Sequence, residues 1–112
     1  MIYVIDEILA KPGQGKALYE AYMARYVPGA EARGMTLQHR LVEPAMWLRE
    51  GSNRLVFLWA QSDVGAVWGA KHGARLDPAV DQWWEEEAPP LIESRQRYTL
   101  AEADALEALD NV

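Results

Sequence analysis

The chain has 112 residues, half of them hydrophobic, which is enough for one domain with a real core. It has no cysteine and a formal net charge of −6, so disulfides, thiolate catalysis and cysteine metal sites are excluded, and nucleic acid and anionic membranes are poor partners. No apolar run approaches the roughly 20 residues that span a bilayer, and the N-terminus lacks a basic leader. We therefore expect neither a transmembrane helix nor a signal peptide, and we place the protein in the cytoplasm.

The first two predicted elements are a strand and a helix. Residues 2–9 form a strand that is apolar on both faces and is therefore expected to be covered on both sides. From residue 16 the apolar residues recur with the period of a helix that packs on a core. Pro28-Gly29 either ends or kinks this helix, and residues 30–33 could add one more turn before Gly34 stops it.

Two further strands are predicted in the middle of the chain. Residues 35–42 alternate as a strand, with His39 on the apolar face. Pro44 cannot occupy a central ladder position, so we expect a bulge or a break there. Residues 50–53 are typical of a hairpin turn, and residues 54–60 predict a strand that is almost continuously apolar.

A helix follows the third strand and begins at Ser62 or Asp63. One i, i+4 row of this helix is expected to face the core: Val64, Trp68, His72 and Leu76. Three glycines on the adjacent row leave room for a close backbone approach or loosen the helix near a pocket: Gly65, Gly69 and Gly73. Asp77-Pro78 predicts the start of a second helical piece that ends near residue 87, with Val80 and Trp84 inward.

The order of elements predicts the fold. Residues 93–100 form the last strand, so the order is βα–ββ–αβ. Short right-handed crossovers then give an α+β, ferredoxin-like domain over residues 1–100, with a four-stranded antiparallel sheet, strand 1 beside strands 3 and 4, and two helices on one face. Residues 101–112 form an acidic tail that either docks as a short helix or frays.

Two expectations about the sheet follow from this order. Strand 4 beside strand 1 brings Arg95 or Arg97 within reach of Asp6 or Glu7, which favours a structural ion pair. The sheet face away from the helices would expose apolar side chains, and a face of this size is rarely left to water. We therefore expect a homodimer in which a second copy covers this face, sheet on sheet.

The chain resembles the dimeric α+β barrel superfamily over residues 1–100. The first strand followed by Lys11-Pro12-Gly13 and a tyrosine-rich helix is similar to NIPSNAP-like proteins, as is Leu76-Asp77-Pro78 followed by Trp83-Trp84. The superfamily also holds antibiotic-biosynthesis monooxygenases, stress-responsive barrel proteins and EthD-like proteins. The resemblance implies a pocket between helices and sheet. It leaves the reaction open, since members include cofactor-free oxygenases, polyketide cyclases, isomerases, haem-degrading enzymes and proteins with no known activity.

The two histidines are candidate catalytic residues. His72 lies among apolar positions, where an imidazole suits general acid–base work. In related cyclases a histidine on the helix after strand 3 transfers the proton, and His72 is similar in placement, although its flanks, Lys71 and Gly73, match no motif. The alternative for His72 is a structural histidine in the core or at the helix edge. His39 faces either the same pocket or the partner subunit.

Aromatic residues complete the candidate site. Tyr22 and Tyr26 share one helical row and could orient a carbonyl or donate to an enolate; the alternative is core packing with hydroxyls at the rim. Trp59, Trp68 and Trp84 are either ligand-binding walls of a pocket or part of the core.

These observations predict a small dimeric enzyme for an apolar, aromatic or polyketide-like small molecule. His72 would transfer a proton, helped by Tyr22 or Tyr26, in a cyclisation, isomerisation, lyase or cofactor-free oxygenase reaction. We expect no metal and no organic cofactor, because the sequence has no metal-ligand spacing and no nucleotide-binding glycine loop. The alternative is a non-catalytic dimeric ligand-binding or accessory protein, and haem binding or degradation is a third hypothesis.

Overall fold

The computed structural model describes residues 1–106 as a sheet with helices packed on one face. The strands are β1 (Ile2–Ala10), β2 (Thr36–Glu43), β3 (Arg54–Gln61) and β4 (Ile92–Ala101). The α-helices are α1 (Gly15–Ala21), α2 (Val27–Ala32), α3 (Val64–Leu76) and α4 (Pro78–Gln82). The remaining helical turns are two π-helical turns, Tyr22–Tyr26 and Trp83–Glu87, and a 3-10 turn, Ala103–Ala105.

The strands pair antiparallel in the order β2-β3-β1-β4. This order confirms the predicted ferredoxin-like fold, with β1 between β3 and β4. Asp6 of β1 lies opposite Phe57 of β3 and Arg97 of β4. Because successive side chains of a strand point to opposite faces, this register places all three residues on the face that the helices cover.

The core lies between this face and the helices. Its largest fully buried apolar side chains come from the sheet and from both helical segments: Ile8, Leu18, Tyr22, Leu55, Phe57, Trp59 and Trp83. Burying a large apolar side chain contributes about 1.5–3 kcal/mol, so these contacts dominate the stability of the domain.

Residues 15–32 form one helical segment that continues past Pro28. A π-helical turn precedes the proline, in which the backbone N–H of Val27 donates to the carbonyl of Tyr22. Pro28 then occupies the first turn of α2, where a missing N–H costs little. The extra helical turn is therefore confirmed, and the positive φ of Gly34 marks the end of the segment.

The second π-helical turn changes which tryptophan fills the core. Its wide turn closes with the N–H of Ala88 donating to the carbonyl of Trp83 at 2.8 Å. Trp83 is fully buried, whereas Trp84 is half-buried and packs against the edge of the core. The prediction that Trp84 faces the core is therefore wrong, and Trp83 takes that position.

A register shift in β2 places His39 on the opposite sheet face from Leu37. Leu37 lies opposite Trp59, whereas His39 lies opposite Leu58, so Gln38 is an extra residue in the ladder. The predicted alternation placed Leu37 and His39 on one face, and this is wrong because the bulge separates them. His39 is exposed on the face away from the helices. The strand ends before Pro44, so the expected break is confirmed.

The sheet face away from the helices carries accessible apolar side chains. Leu41, Tyr98 and Leu100 are exposed there, and Val56 and Leu58 are half-buried. Within residues 1–106, no helix is long and apolar enough to cross a membrane. The division into a domain over residues 1–100 and a tail stays a prediction, since residues 107–112 of the expected docking helix lie outside the described residues.

Candidate functional site

A buried network of polar side chains joins β1, β4 and the first helical segment. The Asp6 carboxylate, 1% exposed, accepts hydrogen bonds from Nε and Nη2 of Arg97 at 2.5 and 2.7 Å and from the Tyr22 hydroxyl at 2.6 Å. Trp59 Nε1 donates to the Tyr22 oxygen at 2.8 Å. Arg97 Nη2 also donates to the Tyr26 hydroxyl at 2.8 Å. A buried charge needs such partners to be retained in a core.

The expected ion pair between β1 and β4 is therefore confirmed as Asp6–Arg97. The neighbouring charges have other partners. Arg95 lies over the Trp84 ring, with its guanidinium carbon 3.6 Å from the ring centroid. Glu7 accepts from Arg54 of β3 at 3.2 Å.

The protonation of this network follows from burial and charge. Burial, followed by the Asp6 carboxylate, raises the pKa of the Tyr22 hydroxyl well above its ordinary value. Burial lowers the pKa of Arg97, but its hydrogen bonds and ion pair with Asp6 outweigh burial and raise the pKa overall. Tyr22 is thus held as a neutral phenol and Arg97 as a cation.

A cavity of about 320 Å³ lies beside this network, between the sheet, the first helical segment and α3. Its apolar lining is Val4, Met35, Val67, Ala70 and Ala74. Its polar lining is Tyr26, Arg33, Gln61, Lys71, Arg97, Tyr98 and Thr99. The volume lies at the lower end of the range for small-molecule sites, roughly 300–1,000 Å³.

The cavity exists because small side chains line the inward face of α3. Val67, Ala70 and Ala74 stand at i, i+3 and i+7 and face the sheet. The Asp63 carboxylate accepts the N–H of Ala66 at 2.7 Å and so caps the helix at its start. Short side chains at these positions leave the space between α3 and the sheet unfilled.

The bulky row of α3 faces outward. Trp68 is 63% exposed, Leu76 is 70% exposed, and His72 is exposed as well. The expected inward orientation of His72 is therefore wrong. The prediction followed the large apolar side chains of α3. The surface beneath the helix is partly polar, and the small residues Val67, Ala70 and Ala74 face it instead.

The other residues predicted for the site lie in different places. Tyr26 lines the cavity, and its hydroxyl meets Arg97. Tyr22 is fully buried behind it and contributes no surface to the cavity wall. Trp59 is buried beneath Tyr22, while Trp84 lies under Arg95. Among the described residues, the cavity wall contains neither of the histidines and none of the tryptophans.

Six polar residues of the cavity were not predicted as site residues: Arg33, Gln61, Lys71, Arg97, Tyr98 and Thr99. Arg97 carried a signal, since its position on the last strand pointed to an acid on the first. Lys71 is adjacent to His72 in sequence and one turn from Val67; its side chain is exposed, and its Nζ lies 5.2 Å from the centre of the Trp68 ring. Arg33 gave no signal, because its burial depends on how closely α2 approaches α3.

The polar wall can hold an oxygen atom that carries negative charge. Arg97 supplies positive charge, and the Tyr26 hydroxyl stands next to it as a hydrogen-bond donor. In the part of the chain that the structure describes, no three His, Asp or Glu side chains come together as a metal-binding group.

Comparison with known proteins yields structural relatives of low sequence identity. Neither a protein-family model nor a curated protein matches the sequence. An uncharacterised NIPSNAP domain protein from Burkholderia xenovorans superimposes with a TM-score of 0.70 at 17% identity, over 92% of this chain and 95% of that chain. A NIPSNAP family protein with unknown function from Agrobacterium tumefaciens gives 0.71 at 16% identity, over 92% and 88%.

A third solved structure with the same architecture carries a different description. An antibiotic biosynthesis monooxygenase-like protein from Nitrosomonas europaea superimposes with a TM-score of 0.63 at 14% identity, over 92% of this chain and 99% of that chain. The resemblance predicted from the sequence is thus confirmed at the level of structure. At this identity the likeness concerns architecture, and chemistry must be argued from the site. The chain has the ferredoxin-like α+β fold of NIPSNAP-domain proteins and of antibiotic biosynthesis monooxygenase-like proteins.

Proposed function

We propose that this protein binds a small molecule in the cavity between α3 and the sheet. The observation that carries the proposal is a space of about 320 Å³ whose apolar wall faces the Tyr26 hydroxyl and the Arg97 guanidinium. Protein interiors are close-packed, and voids larger than a water molecule are few. A ligand with a planar apolar body and one oxygen-bearing end, aromatic or polyketide-like, would match both walls.

The chemistry that this wall would support is stabilisation of a ligand oxygen that carries or develops negative charge, such as an enolate or a phenolate. The Tyr26 hydroxyl accepts its bond from Arg97, so its own proton is available for a ligand oxygen. The Arg97 charge would stabilise that oxygen as it becomes an enolate or phenolate. Cyclisation, isomerisation, lyase chemistry and cofactor-free oxygenation all pass through such an anion.

Binding without catalysis is the second candidate function. Both histidines are exposed, and the cavity wall formed by the described residues has no imidazole to act as a general base. This observation favours a ligand-binding or accessory role over a reaction that depends on His72. We do not extend the proposal to haem, because neither histidine is placed to be an axial ligand in this cavity.

The proposal includes a homodimer. The accessible apolar side chains of the open sheet face, from Leu41 on β2 to Leu100 on β4, would be covered by the same face of a second copy. His39 would then lie in the interface, since it is opposite Leu58 on this face. The cavity lies on the other side of the sheet, so each subunit would keep its own ligand site.

A cavity-filling variant tests the ligand site. Ala74 lines the cavity, and its neighbour Arg75 is exposed on the same helix. Ala74→Phe should abolish the rise in melting temperature caused by any compound that binds from a library of planar aromatic and polyketide-like molecules, while Arg75→Phe should retain it. Equal responses from both variants would contradict the proposal, and so would a library without a binder.

A further inference from the structure

We propose that the ligand of this cavity carries a carboxylate and that Arg33 binds it. The inference rests on the proposed function and adds the charge of the ligand and the group that recognises it. Arg33 follows α2 and lies in the wall of the cavity together with Lys71 of α3.

The Arg33 side chain is buried without a full set of partners. It is only 10% exposed, and among residues 1–106 its Nε has no hydrogen-bond partner. Its one ion pair joins Nη1 to Asp77 at 3.4 Å, which is long for a charge-assisted bond. Asp77 is also committed elsewhere, since its other oxygen accepts the N–H of Ala79 at the start of α4. A buried guanidinium whose Nε has no partner would be stabilised by a carboxylate, which can accept two N–H groups side by side.

Two glycines make room for the arginine. A β-carbon on Gly73 of α3 would stand 3.1 Å from Cδ and 3.3 Å from Cγ of Arg33. A β-carbon on Gly29 of α2 would stand 3.2 Å from its Nη1. By contrast, a β-carbon on Gly69 would meet nothing within 4 Å. Of the glycine row on α3, Gly73 therefore permits the close approach that holds Arg33 in the wall.

The charge of the cavity favours an anion. The whole chain carries −6, yet the lining of described residues contains three cations, Arg33, Lys71 and Arg97, and no carboxylate. Arg97 is paired with Asp6 behind the wall, whereas Lys71 forms no ion pair with any described residue and its Nζ lies over the exposed Trp68 ring. A ligand carboxylate would supply the missing negative charge.

The position of Tyr26 indicates how the ligand would lie. The guanidinium carbons of Arg33 and Arg97 are 5.9 and 5.5 Å from the centre of its ring. A carboxylate at Arg33 would thus be next to the Tyr26 ring, with the apolar body along Val67 and Ala70. The oxygen that meets the Tyr26 hydroxyl would then be a second polar group on the same molecule.

Isothermal titration with matched acids and amides tests this inference. The probes are benzoate, cinnamate and naphthalene carboxylate, each paired with its neutral carboxamide of nearly the same shape. In the wild-type protein we expect at least one acid to bind roughly tenfold or more tightly than its amide. Arg33→Gln should remove that preference and leave amide binding unchanged, Arg33→Lys should restore part of it, and Arg75→Gln, which removes an exposed charge from α3, should keep it.

The glycines provide a second comparison, which holds even if Arg33→Gln fails to fold. Gly73→Ala should displace Arg33 and lower the acid preference, while Gly69→Ala on the same helix should keep it. A wild-type protein that binds acid and amide equally would overturn the inference and leave the proposed function intact. Retained preference in both Arg33→Gln and Gly73→Ala would also overturn it. If none of the six probes binds, both this inference and the proposed function fail.

Discussion

Asp6 and Arg97 lie directly opposite each other on the two neighbouring strands β1 and β4, and the guanidinium donates two hydrogen bonds to the carboxylate. The same guanidinium reaches the Tyr26 hydroxyl in the cavity wall. One ion pair therefore secures the last strand of the sheet and also positions the polar wall of the proposed ligand site.

Removing the charge of Asp6 should destabilise the fold. Breaking a buried ion pair leaves the other charge without its partner and costs about 3–5 kcal/mol; the 35% exposure of the Arg97 side chain reduces this to about 2–3 kcal/mol for Asp6→Asn. Glu7→Gln is the matched control, since Glu7 pairs with Arg54 at the surface and should cost about 1 kcal/mol or less. Urea denaturation measures both, and equal losses would contradict the role given to Asp6.

Tyr22 should remain un-ionised until the fold is lost. Burial and Asp6 raise its pKa in the folded chain above the unfolded value of about 10. The stability that this shift contributes is fully present below pH of about 10 and is lost as pH rises through the folded pKa. In an absorbance titration, Tyr22 should ionise only together with alkaline unfolding, so Tyr22→Phe should reduce the phenolate absorbance that appears during unfolding. Ionisation of all five tyrosines before unfolding would show that Tyr22 is accessible.

Variants of His72 and Tyr26 distinguish a ligand site in the cavity from one on the outer face of α3. Because its side chain is exposed on α3, His72→Ala should change the free energy of unfolding by less than about 0.5 kcal/mol and leave ligand binding in the cavity unchanged. Tyr26→Phe should weaken binding of an oxygen-bearing ligand, since it removes the donor beside Arg97. Titration of one bound ligand against both variants compares them. A loss of binding with His72→Ala alone would place the site on the outer face of α3.

The homodimer can be tested with a pair of leucines. Leu58 lies at the centre of the open sheet face, opposite Ile5 and His39, whereas Leu76 is exposed on α3. Leu58→Glu should yield monomers, because it would place a charge without a partner in the sheet-on-sheet interface, while Leu76→Glu should remain dimeric. Light scattering after size-exclusion chromatography measures the mass. A dimer that persists with Leu58→Glu would contradict the proposed interface.

The sheet and its order were predictable because strand alternation and the crossover rule depend on local sequence. The order of strands predicted an ion pair between Asp6 or Glu7 and Arg95 or Arg97, and the register of the sheet selected Asp6 and Arg97. The orientation of His39 could not be predicted. One extra residue in β2 moves the side chains that follow it to the opposite sheet face, and nothing in the local alternation indicates this bulge. For the same reason the π-helical turn that selected Trp83 over Trp84 was not predicted.

The lining of the cavity on α3 escaped prediction because it consists of small side chains. The hydrophobic periodicity of a helix is dominated by its large apolar side chains, here Trp68 and Leu76. Ala70 and Ala74 are small, so their row did not stand out as the one that faces the sheet. A ligand site between packed elements requires short side chains on one of them, so the weaker row of α3 was the functional one. The burial of Arg33 could not be predicted either, because it arises from a contact with Gly73, which is far away in sequence.

The methionine methyl groups report most directly on whether a ligand enters the cavity. Of the four methionines, Met35 lines the cavity, whereas Met1 and Met46 are exposed. In a spectrum of methyl-labelled methionine, a bound aromatic acid should shift the Met35 signal through the ring current and leave those of Met1 and Met46 in place. Saturable shifts at Met1 or Met46 with an unchanged Met35 would contradict the account, because they would place the ligand outside the cavity.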